Sequence, residues 1–348
     1  SGLYKLTDRI WAVVFLYLAF FLFGSFSYYV VFGKRNKRME VVYENSTNLF
    51  HNFLFFLIAY LFFRYSLLIV KGTTLYKLIV QNNLPLDLKL LFYLDKISLA
   101  YFFYIISKNK ITKKEKHFAV LFFVTYMLKF SKMDIMSLFV GTLLALWNNR
   151  KIKLKHIFFL MLMMFCLLCF LHFFRVKGNN STDSFFGAIG NMLAVYLLSP
   201  LKAFDMLINE TVSMANGRTF VLVTNIVRKV LGINLVNSTK AFDGWVYVPY
   251  PTNVYTCLYP FYSDFKIAGV IFFGIILGFF WTFIYEMRYK KSFYIIYIAL
   301  LYILVFQFFS DILFTYASGC LQTIFWCFFV VKLKDKRINK KFRIYFKV

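Results

Sequence analysis

The residues whose types could do chemistry crowd into one stretch, from about Arg175 to Lys266. It holds Arg175, Lys177, Lys202, Arg218, Arg228, Lys229 and Lys240 beside Asp183, Asp205, Glu210, Asp243 and Asp264. A guanidinium fork matches the oxygens of a phosphate. Arg175 and Arg218 are therefore candidates to hold a phosphate-bearing substrate, with anionic lipid headgroups as the other source of that chemistry. Arg218 sits in Asn216-Gly217-Arg218-Thr219, a turn followed by a helix start, where the helix N-terminus adds its dipole to anion binding. The acids are scattered and lack the D-x-D spacing of metal-dependent sugar-nucleotide enzymes, which points to metal-free chemistry. No catalytic triad is visible. Of the four His, His117 and His156 sit at the ends of apolar runs, His51 begins one, and only His172 lies near the polar stretch. Cys166 and Cys169 form C-x-x-C inside an apolar helix, which reads as a helix face rather than a redox motif.

The elements around this stretch belong to a membrane. The 348 residues are 61% hydrophobic and include 48 Phe and 25 Tyr, with a mean hydropathy of +0.66. A soluble fold has no place for that much apolar surface, whereas lipid accepts it on every wall. Apolar runs separated by basic loops predict about nine spans. They lie at residues 10–32, 50–70, 90–107, 117–130, 133–147, 156–174, 267–285, 293–309 and 316–331. Residues 175–266 form a loop of about 90 residues, and a loop that long is functional or disordered. Two apolar stretches inside it, Gly187 to Leu198 and Thr219 to Leu231, read as short amphipathic or re-entrant helices. The net charge of +26 is read through the positive-inside rule rather than as a nucleic-acid footprint. The tail 332–348, with eight Lys or Arg, is then cytoplasmic. Parity puts the other strongly basic loops inside with it and the 175–266 loop outside. Arg64 lies within an apolar span, where a charge is either functional or snorkelling.

The stretch Pro251 to Gly278 reads PTNVYTCLYPFYSDFKIAGVIFFGIILG. It resembles the signature of the Wzy-type oligosaccharide repeat-unit (O-antigen) polymerases: N-V-Y-T, a few residues, P-[FY]-Y-x-D-F-G-x-x-G, then a span. Asn253, Val254, Tyr255 and Thr256 match, as do Pro260, Phe261, Tyr262, Asp264, Phe265 and Gly269. Lys266 stands where that family has Gly, and Tyr259 where many members have Arg. Weaker echoes are Ser131-Lys132 before a helix, Arg218 in G-R-T-F, and Tyr196, Pro200, Phe204 and Asp205 in a preceding helix.

The resemblance implies a single membrane domain over 1–348: an all-α, polytopic bundle like the C-type membrane glycosyltransferases (GT-C), with the site in a large periplasmic loop containing short helices. It implies a bacterial inner-membrane enzyme that needs no metal or cofactor. Its partners would be undecaprenyl-pyrophosphate-linked oligosaccharides, membrane lipids and a chain-length regulator, with no nucleic acid. A hydroxyl of a new lipid-linked repeat unit attacks the anomeric carbon of the growing glycan, with inversion, and the lipid pyrophosphate leaves. On that reading Arg175, Arg218 and Lys132 hold the pyrophosphate. Asp264, Asp243 and Glu210 are candidates for the general base. Asn253, Tyr255, Tyr259, Tyr262 and Trp245 offer a sugar-binding surface. A flippase for the same lipid-linked sugars is one alternative, although no internal repeat of the transporter kind is visible. An O-antigen ligase is the other, although no His lies between Arg175 and Lys266.

Overall fold

The computed structural model describes residues 5–33, 43–44, 48–73, 75–81, 83–129, 131–149, 152–153, 155–156, 158–160, 162, 198–208, 217–232, 246–248, 251–252 and 254–336. Nearly all of them are helical: α1 (Asp8–Phe32), α2 (Asn48–Val70), α3 (Leu75–Val80), α4 (Leu86–Ile106), α5 (Lys113–Met127), α6 (Lys132–Asn148), a helical stretch over 198–208, α7 (Val221–Leu231), α8 (Leu258–Met287), α9 (Lys291–Val305) and α10 (Ala317–Lys334). Extended structure is limited, among the described residues, to two antiparallel pairs of two-residue strands. These are β1 (Tyr43–Glu44) with β4 (Asp335–Lys336), and β2 (Val246–Tyr247) with β3 (Pro251–Thr252).

This is the fold of a helical membrane protein, since α1, α2, α8 and α10 are long and apolar enough to cross a bilayer. The other expected spans within the described residues are helices too, but they fall short by that measure. At 1.5 Å per residue, α5 and α9 reach about 22 Å, less than the ~30 Å of hydrocarbon. In α4 the charges of Asp87, Lys89, Asp95 and Lys96 interrupt the apolar run. Most of the expected span at 156–174 lies outside the described residues.

The helices form two compact units. The first contains Ser1–Asn36, Val176–Glu286 and Ile303–Cys320; the second contains Lys37–Arg175, Met287–Tyr302 and Leu321–Val348. In the first unit, α1 and α8 approach backbone to backbone. Gly274 and Gly278 on α8 form a G-x-x-x-G pair, the spacing that puts two small residues on one helix face. A Cβ at Gly278 would lie 1.9 Å from the Phe21 carbonyl oxygen, and one at Gly24 would lie 2.1 Å from that of Ile275. The close approach lets the Ser25 hydroxyl donate to the Gly278 carbonyl at 3.2 Å. At the far end of the pair the Tyr29 hydroxyl donates to Glu286 at 2.9 Å.

α8 is two helices joined at a sharp bend. Lys266 has φ 54° and ψ −142°, a region that suits glycine and strains any residue with a Cβ. The short helix before it folds back on the long apolar one. Phe261 stacks on Phe273 with ring centroids 4.5 Å apart, and a Cβ at Gly269 would meet the Phe261 carbonyl oxygen at 2.3 Å. Lys266 therefore stands at the position where glycine is the favoured residue. Its ammonium lies 5.4 Å from the Tyr262 ring centroid. Lys266→Gly trades that contact, worth about 0.5–1 kcal/mol, for relief of strain of about 1–3 kcal/mol. Lys266→Ala gives up the contact and keeps the strain. The thermal midpoints in detergent are expected to rank Gly variant above wild type above Ala variant. A Gly variant that melts below wild type would show that the bend is not strained.

The second unit packs α2 against α5 and α4 against α5 and α6. Several of its charges are paired. Arg64, the intramembrane arginine, bridges Asp87 at 2.7 Å, and the Tyr60 hydroxyl donates to the same carboxylate at 3.0 Å. Asp95 and Lys129, each about 2% exposed, form an ion pair to which the Tyr126 hydroxyl also donates. α5 starts with a reciprocal cap: Thr112 accepts from the Glu115 amide and Glu115 accepts from the Thr112 amide. Burial pushes the Glu115 carboxyl up. The Lys108 ammonium at 2.7 Å and the Thr112 donors outweigh that push and hold it below the usual carboxylate range.

Candidate functional site

The signature residues and the G-R-T-F turn, some 45 positions apart, meet in the first unit. Positive φ at Gly217 (64°) turns the chain into Arg218-Thr219, just before α7. The Thr219 amide donates to Asp264 Oδ2 at 2.7 Å. The Arg218 guanidinium lies 4.9 Å from the centroid of the Tyr259 ring and donates to the Ser263 hydroxyl at 3.3 Å. Tyr255 stacks on Tyr259 in turn, with centroids 4.5 Å apart. Behind this row Phe220 makes tilted or edge contacts with Phe273 and Phe314, and both of those rings also meet Phe261. The aromatic cluster fixes the turn against the short helix, so Arg218 is held by packing as well as by hydrogen bonds.

Two further features of this corner bear on chemistry. Asp264 is 5% exposed, and only one of its oxygens is used. Its Oδ1, with the Thr219 and Thr256 hydroxyls, is buried and has no hydrogen-bond partner among the described residues. Such groups cost free energy unless a ligand or a proton satisfies them. The corner thus brings together a guanidinium, a carboxylate oxygen and the Thr219 hydroxyl, groups of the kind that bind polar ligands. Tyr255, Tyr259 and Tyr262 are 4–6% exposed. In this conformation they shape the corner and do not present an open stacking face.

A second arginine reaches the same short helix and was not singled out by sequence. Arg9, in the first turn of α1, donates to the Tyr262 hydroxyl at 3.0 Å. Phe204 meets the same ring edge-on. The start of α1 is anchored at Asp205, which accepts from the Thr7 amide at 3.2 Å, from the Thr7 hydroxyl, and from Lys202 at 2.8 Å. Burial pushes the Asp205 carboxyl up, but these donors hold it below the ordinary range. Asp205 is thereby satisfied as a structural anion.

Asp311 is the other acid of interest, and no motif marks it. It lies in the connection between α9 and α10, 4% exposed, and accepts from the Phe314 and Thr315 amides and the Thr315 hydroxyl. Those bonds pull its pKa down, but burial wins and raises it to about 6. The same turn carries Phe314 into the aromatic cluster. Cys257, just before α8, is buried as well; burial and the nearby Asp311 charge push its thiol up. A carboxyl whose folded pKa lies above its unfolded value binds a proton that the unfolded chain has released. Asp311 therefore favours folding most below about pH 4 and opposes it as pH rises through about 6, by at most about 3 kcal/mol. Thermal midpoints measured from pH 4 to 8 are expected to fall with pH more steeply in wild type than in Asp311→Asn. Parallel profiles would contradict this.

Other residues expected at the site belong to the second unit or lie outside the described residues. Lys132 is the first residue of α6 and belongs to the second unit, where Ser131 caps the helix by accepting from the Asp134 amide at 3.4 Å. Arg175, Glu210, Asp243, Trp245 and Asn253 lie outside the described residues. No family model, no curated protein and no solved structure matches the chain.

Proposed function

We propose that the protein polymerises lipid-linked oligosaccharide repeat units, as a metal-independent membrane glycosyltransferase of the Wzy type with a C-type (GT-C) fold. The growing glycan leaves undecaprenyl pyrophosphate and passes to a hydroxyl of the incoming lipid-linked unit. The site lies at the periplasmic face of the inner membrane. One observation carries the reading. Arg218 of the G-R-T-F turn is seated on Tyr259 and Ser263 of the signature helix, while Thr219 binds the signature Asp264. Two separate segments on which the resemblance rests, the G-R-T-F turn and the helix carrying Tyr259 to Asp264, are thus spatial neighbours. The glycine preference at Lys266 supports it too, because the resembled signature carries Gly there.

In this reading Arg218 stabilises charge on the departing pyrophosphate, and Arg9 of α1 binds Tyr262 of the short helix that Arg218 also contacts. Asp264 uses its bound oxygen to fix the turn and its other oxygen to orient or deprotonate the attacking hydroxyl. The cationic side chains and the membrane setting suit the donor, which joins a pyrophosphate to a long apolar chain.

Deleting the gene in its host and running surface polysaccharide on a gel tests this. Core bearing a single repeat unit in the deletion strain, with the ladder restored by the wild-type gene, is the expected result. Loss of even the single unit would favour a flippase or a ligase instead.

A further inference from the structure

The helix α7 has its apolar face turned outward. Val223 (53%), Ile226 (52%) and Val230 (74%) are exposed, and at positions i, i+3 and i+7 they share one face. Thr224, Asn225 and Arg228 lie round the other side and are only partly exposed. A water-facing surface helix would have the reverse arrangement. Something apolar must cover the outward face, and the surroundings indicate what it is.

Phe220, directly before α7, meets Phe265 with ring centroids 6.4 Å apart. Phe265 (45%) and Ile267 (48%) are themselves exposed, where the long apolar part of α8 begins. Phe220, itself 38% exposed, thus joins the start of α7 to exposed apolar residues where a spanning helix begins. The last turn carries Arg228 and Lys229, and α7 then stops at Gly232 in the left-handed conformation. Cations at that edge complement anionic headgroups, and an apolar strip beside a basic edge is the pattern of a helix lying in the plane of a bilayer interface.

We infer that α7 is an interfacial helix, with Val223, Ile226 and Val230 in the acyl boundary of one leaflet and Arg228 and Lys229 at the phosphates of anionic phospholipids. The inference rests on the membrane fold alone and stands whether or not the protein is a polymerase. It places the Arg218 turn, one residue before Thr219 and three before α7, at headgroup depth.

The test uses the full chain reconstituted in vesicles of phosphatidylcholine and phosphatidylglycerol. Val223→Trp and Val230→Trp are compared with wild type, whose own tryptophan signal is subtracted. Both positions are exposed, and elution on size exclusion checks that the variants fold. Lipids brominated near the headgroup end of the acyl chain should quench the added emission strongly, those brominated near the methyl end less, and aqueous iodide little. A second variant, Arg228→Gln with Lys229→Gln on the Val230→Trp background, should lose the dependence of quenching on phosphatidylglycerol content. Iodide quenching without lipid quenching would overturn the proposal by placing the face in water. Protection from both quenchers would overturn it in favour of a protein surface, such as a second copy of this chain.

Discussion

Arg218→Ala is expected to abolish the polysaccharide ladder while leaving the protein at its normal level in the membrane. Removing a preorganised donor from developing negative charge typically costs about 10²–10³ in rate, and slower transfer leaves single repeat units in place of long chains. Arg218 also has a supporting role, through the Tyr259 ring at 4.9 Å and the Ser263 hydroxyl at 3.3 Å. Arg218→Lys separates the two roles. A lysine keeps the charge and can sit over the ring but lacks the planar fork. Polymerisation with Lys should lie between wild type and Ala, at an unchanged thermal midpoint. If the Ala variant lengthens chains normally, Arg218 is a packing residue and the site lies elsewhere.

Gly278→Ala is expected to cost more stability than alanine at any other glycine among the described residues. The new Cβ would meet the Phe21 carbonyl oxygen at 1.9 Å. The obstacle is backbone, so no rotamer change relieves it, and α1 and α8 must separate. Overpacking costs about 1–3 kcal/mol where side chains can adjust, and this case belongs at or above the top of that range. Ser25→Ala makes the contrast: it removes one interhelical hydrogen bond at 3.2 Å, worth about 0.6 kcal/mol in membrane helices. Folded yield after detergent extraction should fall sharply for Gly278→Ala and little for Ser25→Ala. Equal yields would mean that α1 and α8 do not approach as closely as the backbone distances state.

The parts that were readable in sequence are those written locally. Apolar runs show where helices form, because burying backbone in lipid requires helices and apolar side chains together. Each expected span overlaps a helix where the chain is described, and four of those helices are long and apolar enough to cross a bilayer. The motif from Asn253 to Gly269 could be read because it is one contiguous segment. Asp205 was singled out as a familiar residue in a helix, but its partner Thr7 lies 198 positions away. Arg9 was missed for the same reason: its partner Tyr262 is 253 positions away, and one arginine in a first helical turn carries no spacing signal. The raised Asp311 pKa comes from burial, which a run such as F-F-S-D-I-L-F does not announce. The G-x-x-x-G pair at Gly274 and Gly278 was present as a pattern, and reading it would have anticipated a close helix contact. The bend at Lys266 could only be suspected from the departure from glycine, since strain is a property of φ and ψ rather than of residue type.

The measurement closest to the central claim is chain extension by the purified protein. Wild type and Arg218→Ala would be reconstituted in vesicles and supplied with the host's own lipid-linked repeat units, without added divalent metal. Products would be sized by gel and mass spectrometry. The account predicts a ladder of whole repeat multiples with wild type, with release of the lipid pyrophosphate in step with each addition, and no ladder with Arg218→Ala. Wild-type protein that folds, binds the lipid-linked units and returns them unextended would contradict it.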